Sequence, residues 1–220
     1  NVKRIAYAAS IGKACLNENF IRRIIPHLIN FYWIGVREKA AKSILGENGI
    51  ESDLVCDPTL LHSVQFYQNL LPNYDKQDKR IFIYTINHKL PVLIKTELSS
   101  LDYEQVSVNL KKDHIIPSVF QWLSLVANSG FVITTSYHCV IFCLLFKTPF
   151  IFLSLHCNSQ ETSNRLISLL EPLNLKERII NSSQIDNSFS IKNYMNKDIF
   201  DWENIHNILE KQRIFSKHLL

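Results

Sequence analysis

Short apolar runs alternate along this chain with segments whose apolar residues recur at helical spacing, and no other feature constrains the fold as much. Residues 5–9 (IAYAA) form the first run, closed by Ser10 and Gly12. Asn17 then offers an N-cap for a helix running from 18 towards 31, in which Pro26 is expected to introduce a kink. A strand is predicted over 32–36. It is followed by a helix over 37–46 with Ala40, Ala41, Ile44 and Leu45 on one face, stopped by Gly49. A brief strand over 53–56 runs into Asp57-Pro58, where regular structure ends. A second series begins at 80: strand 80–86, helix near 91–99, strand 105–109, helix 118–128, strand 131–135, helix 137–146, strand 150–153 and helix 161–170. Strand and helix in steady alternation imply parallel sheets covered by helices, hence an α/β protein with two Rossmann-like domains.

The polar, turn-rich stretch 68–79 is the natural linker between the two series. The expected organisation is a first domain over 1–67, a second over 80–200, and a C-terminal segment, 201–220, whose helix over about 202–217 crosses back to the first domain. Because the chain opens without Met on what reads as a buried strand, the first domain is expected to be N-terminally truncated.

Composition narrows the function classes. With 46% hydrophobic residues and 5 glycines in 220 residues, the chain is an ordered globular protein. A net charge of +4, spread along the chain, suits an anionic substrate or an acidic membrane surface, and so allows peripheral membrane association. It offers no basic stripe with interleaved aromatics, so no nucleic-acid partner is expected. An odd count of 5 cysteines is unlike a secreted disulfide framework, which points to a cytoplasmic location, extending to the inner face of a membrane. The longest apolar run, from Cys139 to residue 155, is broken by Lys147, Thr148 and Pro149 before it reaches a membrane-spanning length.

In parallel sheets, ligands bind beyond the carboxyl ends of the strands, where helix N-termini favour anions. Two stretches put chemistry there. In IGVREKAA, Arg37 directly follows a strand. In ITTSYHC, Thr135, Ser136 and His138 do. His138 can be read as a core histidine with satisfied nitrogens, or as a base kept neutral by the helix dipole. Arg37 in a first helical turn opposes that dipole, a conflict that a bound anion would remove. Ser136 is an N-cap. His138, Cys139, Cys143 and the pair His156-Cys157 are zinc-ligand types, but the C-x-x-C spacing of structural zinc sites is absent, so no metal is expected.

Five motifs occur together and in order: YAASIG (7–12), IGVREKAAKSIL (34–45), a short strand ending in DPTLL (57–61), the block VFQWLSLVANSGFVITTSYHCVIFCLLFKTPFI (119–151), and NRLISLLEPLNLKER (164–178). With them the chain resembles the polysaccharide pyruvyl transferase family, from its first residues to about Arg178. The resemblance implies a GT-B-like fold and transfer of pyruvate from phosphoenolpyruvate to a sugar as a ketal, with no further cofactor. The implied partners are phosphoenolpyruvate and a sugar or lipid-linked oligosaccharide acceptor.

By position, His138 matches the family's histidine and would be catalytic, while Arg37 matches its strand-following arginine. Thr135 and Ser136 match the small polar residues before the histidine, Asp57 the D-P motif, and Asn164 and Arg165 an N-x-x-R-like segment; all would bind substrate. Forming a ketal from an enol phosphate needs a proton delivered to the methylene carbon, attack by sugar hydroxyls and loss of phosphate. A group titrating near neutrality suits the proton transfer. Planar guanidinium forks suit carboxylate and phosphate, with Arg37 first, Arg165 second and Lys147 third. Tyr137 replaces the family's common Phe, Cys139 its usual Gly, and Ser136 an Arg found in some members. Two other functions remain open: a GT-B-like glycosyltransferase using a nucleotide sugar, and a non-catalytic member of a polysaccharide-assembly complex.

Overall fold

A computed structural model describes residues 2–11, 17–71, 75–86, 89–109, 116–155 and 160–220, leaving aside the side chains of 160–163 and 197. The chain divides into two compact units. The first comprises Asn1–His62, Asn158–Asn174 and Ile208–Leu220, the second Ser63–Cys157 and Leu175–Asn207.

In the first unit three parallel strands, β1 (Ile5–Ala9), β2 (Trp33–Val36) and β3 (Asp53–Leu54), lie in the order β1-β2-β3. The crossovers are α1 (Glu18–Leu28) and α2 (Lys39–Glu47). Asn17 caps α1 as its sequence suggested, accepting from the Asn19 N–H at 2.8 Å. The helix stops at Leu28, short of 31, with Pro26 inside it. Ile34, Val36, Ala41, Leu45 and Ile50 form the core. Ala41 and Leu45 are one helical turn apart, so both reach the sheet. The last turns of α8 (Trp202–His218) also belong here: buried Ser216 accepts from the Cys56 N–H at 2.9 Å.

The second unit is a parallel five-stranded sheet. A short helix, α3 (Val64–Gln68), precedes β4 (Gln77–Thr85), and there follow α4 (Val92–Ser99), β5 (Glu104–Asn109), α5 (Val119–Asn128), β6 (Ser129–Thr134), α6 (Tyr137–Phe146), β7 (Phe150–Ser154) and β8 (Ile179–Asn181). Between β7 and β8 the chain supplies α7 (Gln160–Leu170) to the first unit. The strand order is β5-β4-β6-β7-β8, so the chain moves one way from β4 and then reverses past it. That reversal is the doubly wound pattern, with the crevice between β4 and β6 at their carboxyl ends.

Period-2 alternation fills both faces of this sheet. Ile81, Ile83, Phe131, Ile133, Ile151, Leu153 and Ile180 join Ile94 and Leu98 of α4 on one face. On the other, Trp122 packs edge-on against Tyr84 and Phe142, at ring separations of 5.3 and 5.5 Å. Gly130 is obligatory where β6 passes the irregular start of β4, because a Cβ there would lie 2.0 Å from the Asp78 carbonyl oxygen.

Both units are thus mixed α/β structures with parallel, Rossmann-like sheets. Among the described residues no helix is long and apolar enough to cross a membrane.

Candidate active site

At the carboxyl ends of the first unit's strands, charge is organised in two clusters. Arg37 lies ahead of α2, not in its first turn as the sequence reading had it; the N-cap position is Glu38. The conflict with the helix dipole therefore falls away, and it is Asp57 that faces the Arg37 guanidinium, in an ion pair between Nη1 and Oδ2. The Asp57 carboxylate is buried, and its other oxygen accepts from the Thr59 N–H at 3.0 Å and hydroxyl at 2.7 Å. It thereby caps the 3-10 turn at Pro58–Leu61 and fixes the arginine at once.

The second cluster centres on Glu38, a buried residue that the sequence analysis did not single out. Its carboxylate accepts from the Ser10 hydroxyl and, at 3.0 Å, from the Ile11 N–H. Arg165 of α7 holds its Nε 3.8 Å from Glu38. Ser10 is delivered by an irregularity in β1: Ala8 adopts φ 53° where the pairing with β2 shifts register. Asn164 is half-buried beside Arg165, and its amide nitrogen has no hydrogen-bond partner among the described residues. The signal that could have found Glu38 is its position, an acid at the start of a helix that follows a strand.

In the second unit the strand ends carry hydroxyls and amides in place of ion pairs. The Thr134 hydroxyl donates to the Tyr84 carbonyl at 2.8 Å and accepts from the Ser136 N–H at 3.0 Å. Thr135 accepts from the Ile86 N–H at 2.8 Å, and Asn109 donates to the Thr85 hydroxyl at 3.1 Å. These bonds tie the ends of β4, β5 and β6 together at the strand-order reversal. Ser136 caps α6, accepting from the Cys139 N–H at 3.4 Å. At the end of β7, Ser154 is buried with its hydroxyl unpartnered among the described residues, a polar group that sequence alone did not flag.

α6 resolves the reading of its own histidine. Tyr137 and every residue from Cys139 to Phe146 are buried, and His138 is the exposed one. A core histidine is thereby excluded. Lys147 occupies the left-handed C-cap at the other end of the helix, φ 56°, roughly 15 Å of helical rise away. Cys139 and Cys143 point into the core, and burial drives the Cys143 thiol well above its usual range. Among the described residues no group of three or more His, Cys, Asp or Glu could hold a metal ion, and His156-Cys157 lie outside the described residues.

The family model for polysaccharide pyruvyl transferase matches residues 1–156. The chain belongs to that family. No curated protein matches it. The match takes in Arg37, Asp57, Thr135, Ser136 and His138, so the strand-end stretches of both units are pyruvyl transferase sequence. Asn164 and Arg165 lie beyond it. The family acts in polysaccharide pyruvylation, and in this member the Cys139 side chain is fully buried.

Proposed function

We propose that the chain transfers pyruvate from phosphoenolpyruvate to two hydroxyls of a sugar in a polysaccharide precursor, forming a ketal and releasing phosphate. The observation that carries this reading is the lone exposure of His138 on an otherwise buried helix, at the strand-order reversal of a family member. Packing the helix this tightly fixes the backbone that carries the imidazole without using the ring as a core group. Such a ring can deliver a proton to the methylene carbon and recover one from the attacking sugar. Of the two acceptor protons, one ends on the new methyl group and the other leaves with phosphate.

Thr135 and Ser136 line the start of α6, where an anion is favoured by the helix dipole. Arg37 supplies a guanidinium for carboxylate or phosphate, and Asp57 enters as the residue that positions it. Arg165 and Asn164 serve the same anionic substrate in this proposal. A two-domain, GT-B-like plan is part of it, supported by two units that each carry a parallel sheet with polar strand ends.

The test is phosphate release from phosphoenolpyruvate in the presence of nucleotide-linked and lipid-linked sugars, with the ketal identified by mass spectrometry. His138→Ala is expected to lower kcat/KM by about 10² to 10⁴. A loss below roughly tenfold would remove His138 from the mechanism. UDP- or GDP-sugars raising the melting temperature while phosphoenolpyruvate does not would favour a glycosyltransferase instead.

A further inference from the structure

The two edges of the second unit's sheet are chemically unlike. At the amino edge, charges are paired: Lys79 with Asp102 at 2.6 Å and Arg80 with Glu104 at 2.7 Å. At the carboxyl edge, where α4 and α5 begin after the adjacent strands β4 and β5, the first turns hold large apolar side chains open to solvent. Val92 is 77% exposed and Val119 70%, with Leu93 and Phe120 beside them at 41% and 51%. Neither helix has an acidic residue in its first turn, the place where acids are most favourable. Lys89 and Lys95, both exposed, flank Val92, and neither has an acidic partner among the described residues. Along this one edge, Val92 and Leu93 with the two lysines stand at the start of α4 on one face of the sheet and Val119 and Phe120 at the start of α5 on the other, so the edge as a whole offers two positive helix ends and apolar side chains to an anionic lipid surface.

We infer that this edge docks peripherally on anionic membrane, inserting Val92, Leu93, Val119 and Phe120 among the headgroups. The inference rests on the proposed function in one respect: His138 begins α6 at this same edge, so docking would bring the histidine to an acceptor sugar carried on a lipid.

Co-sedimentation of the full chain with vesicles tests it without any substrate. Binding is expected to vesicles of equal phosphatidylglycerol and phosphatidylcholine, and not to phosphatidylcholine alone. Val92→Asp combined with Val119→Asp should abolish it, while melting by circular dichroism stays unchanged because both side chains are exposed. Lys89→Gln with Lys95→Gln should weaken it about thirtyfold, and raised salt should weaken it further.

No binding to the anionic vesicles, or equal binding by the aspartate variant, overturns the inference. A change of oligomeric state in that variant, seen by light scattering, assigns the edge to a second copy and overturns it too. Ketal formation on a soluble sugar without vesicle binding sinks the docking alone. Vesicle binding without transfer to any acceptor sinks the proposed reaction alone.

Discussion

The strand ends of the first unit are held by buried charge, and those of the second by neutral hydroxyls and backbone. In the first, two carboxylates, Asp57 and Glu38, are almost fully buried, and each is matched to an arginine and to N–H or O–H donors. In the second, Thr134, Thr135 and Ser136 accept from backbone N–H groups, and the one exposed ionisable side chain of α6 is His138. The difference separates two ways of preorganising a site. Paired charges fix a cation firmly but are costly to disturb, since loss of one partner strands the other in a low-dielectric setting. Capped backbone leaves the imidazole on the exposed side of α6, and each cap contributes little.

The largest expected effect follows from that asymmetry. Asp57→Ala should destabilise the chain by about 3 to 5 kcal/mol, because Arg37, whose side chain is 14% exposed, loses its counter-charge. Urea unfolding would read it as a lower midpoint. Combining it with Arg37→Met should restore part of the loss, since no uncompensated charge remains. If the double variant is no more stable than Asp57→Ala, the pair is not what organises this strand end.

Ser136→Ala should cost far less, about 0.5 to 1 kcal/mol, the low end for an N-cap because the Cys139 N–H lies 3.4 Å away. A loss comparable to that of Asp57→Ala would erase the distinction between the two units.

Much of this was legible in the sequence. The α6 bounds, 137–146, match because Ser136 and the Lys147-Thr148-Pro149 break punctuate both ends, and the strands stand out as continuous apolar runs. The three-residue β8 was not anticipated, since a run that short has no period to read. Exposure of His138 was undecided for a similar reason: a helix buried on every side has no amphipathic face against which to judge one residue. Glu38 escaped notice because its partners, Ser10 and Arg165, are far away in sequence. Local pattern fixes elements; pairing of buried charges is a tertiary fact. Arg37 was read as helical although α2 begins two residues later, at Lys39, because propensity extends helices backwards through any residue that does not forbid them.

The smallest effect concerns the other end of the helix that carries His138. His206 of α8 lies with its Nε2 2.9 Å from the Leu144 carbonyl, near the C-terminus of α6, so that helix is held by Ser136 at one end and His206 at the other. Burial pushes the His206 imidazole below its usual value; the Leu144 carbonyl opposes the shift, and the nearby Lys147 charge adds to it. The unfolded chain takes up this proton near pH 6.5, whereas the folded chain resists it. Below that pH the unfolded state binds more protons, so this contribution to stability is present above about pH 6.5 and is lost as pH falls through the lowered folded value. Melting temperature should decline on the acid side, and His206→Gln, which keeps a donor but not the titration, should flatten the decline. A slope unchanged by the substitution would mean that α6 is anchored without His206, leaving the capped N-terminus and core packing as the means by which the second unit positions its histidine.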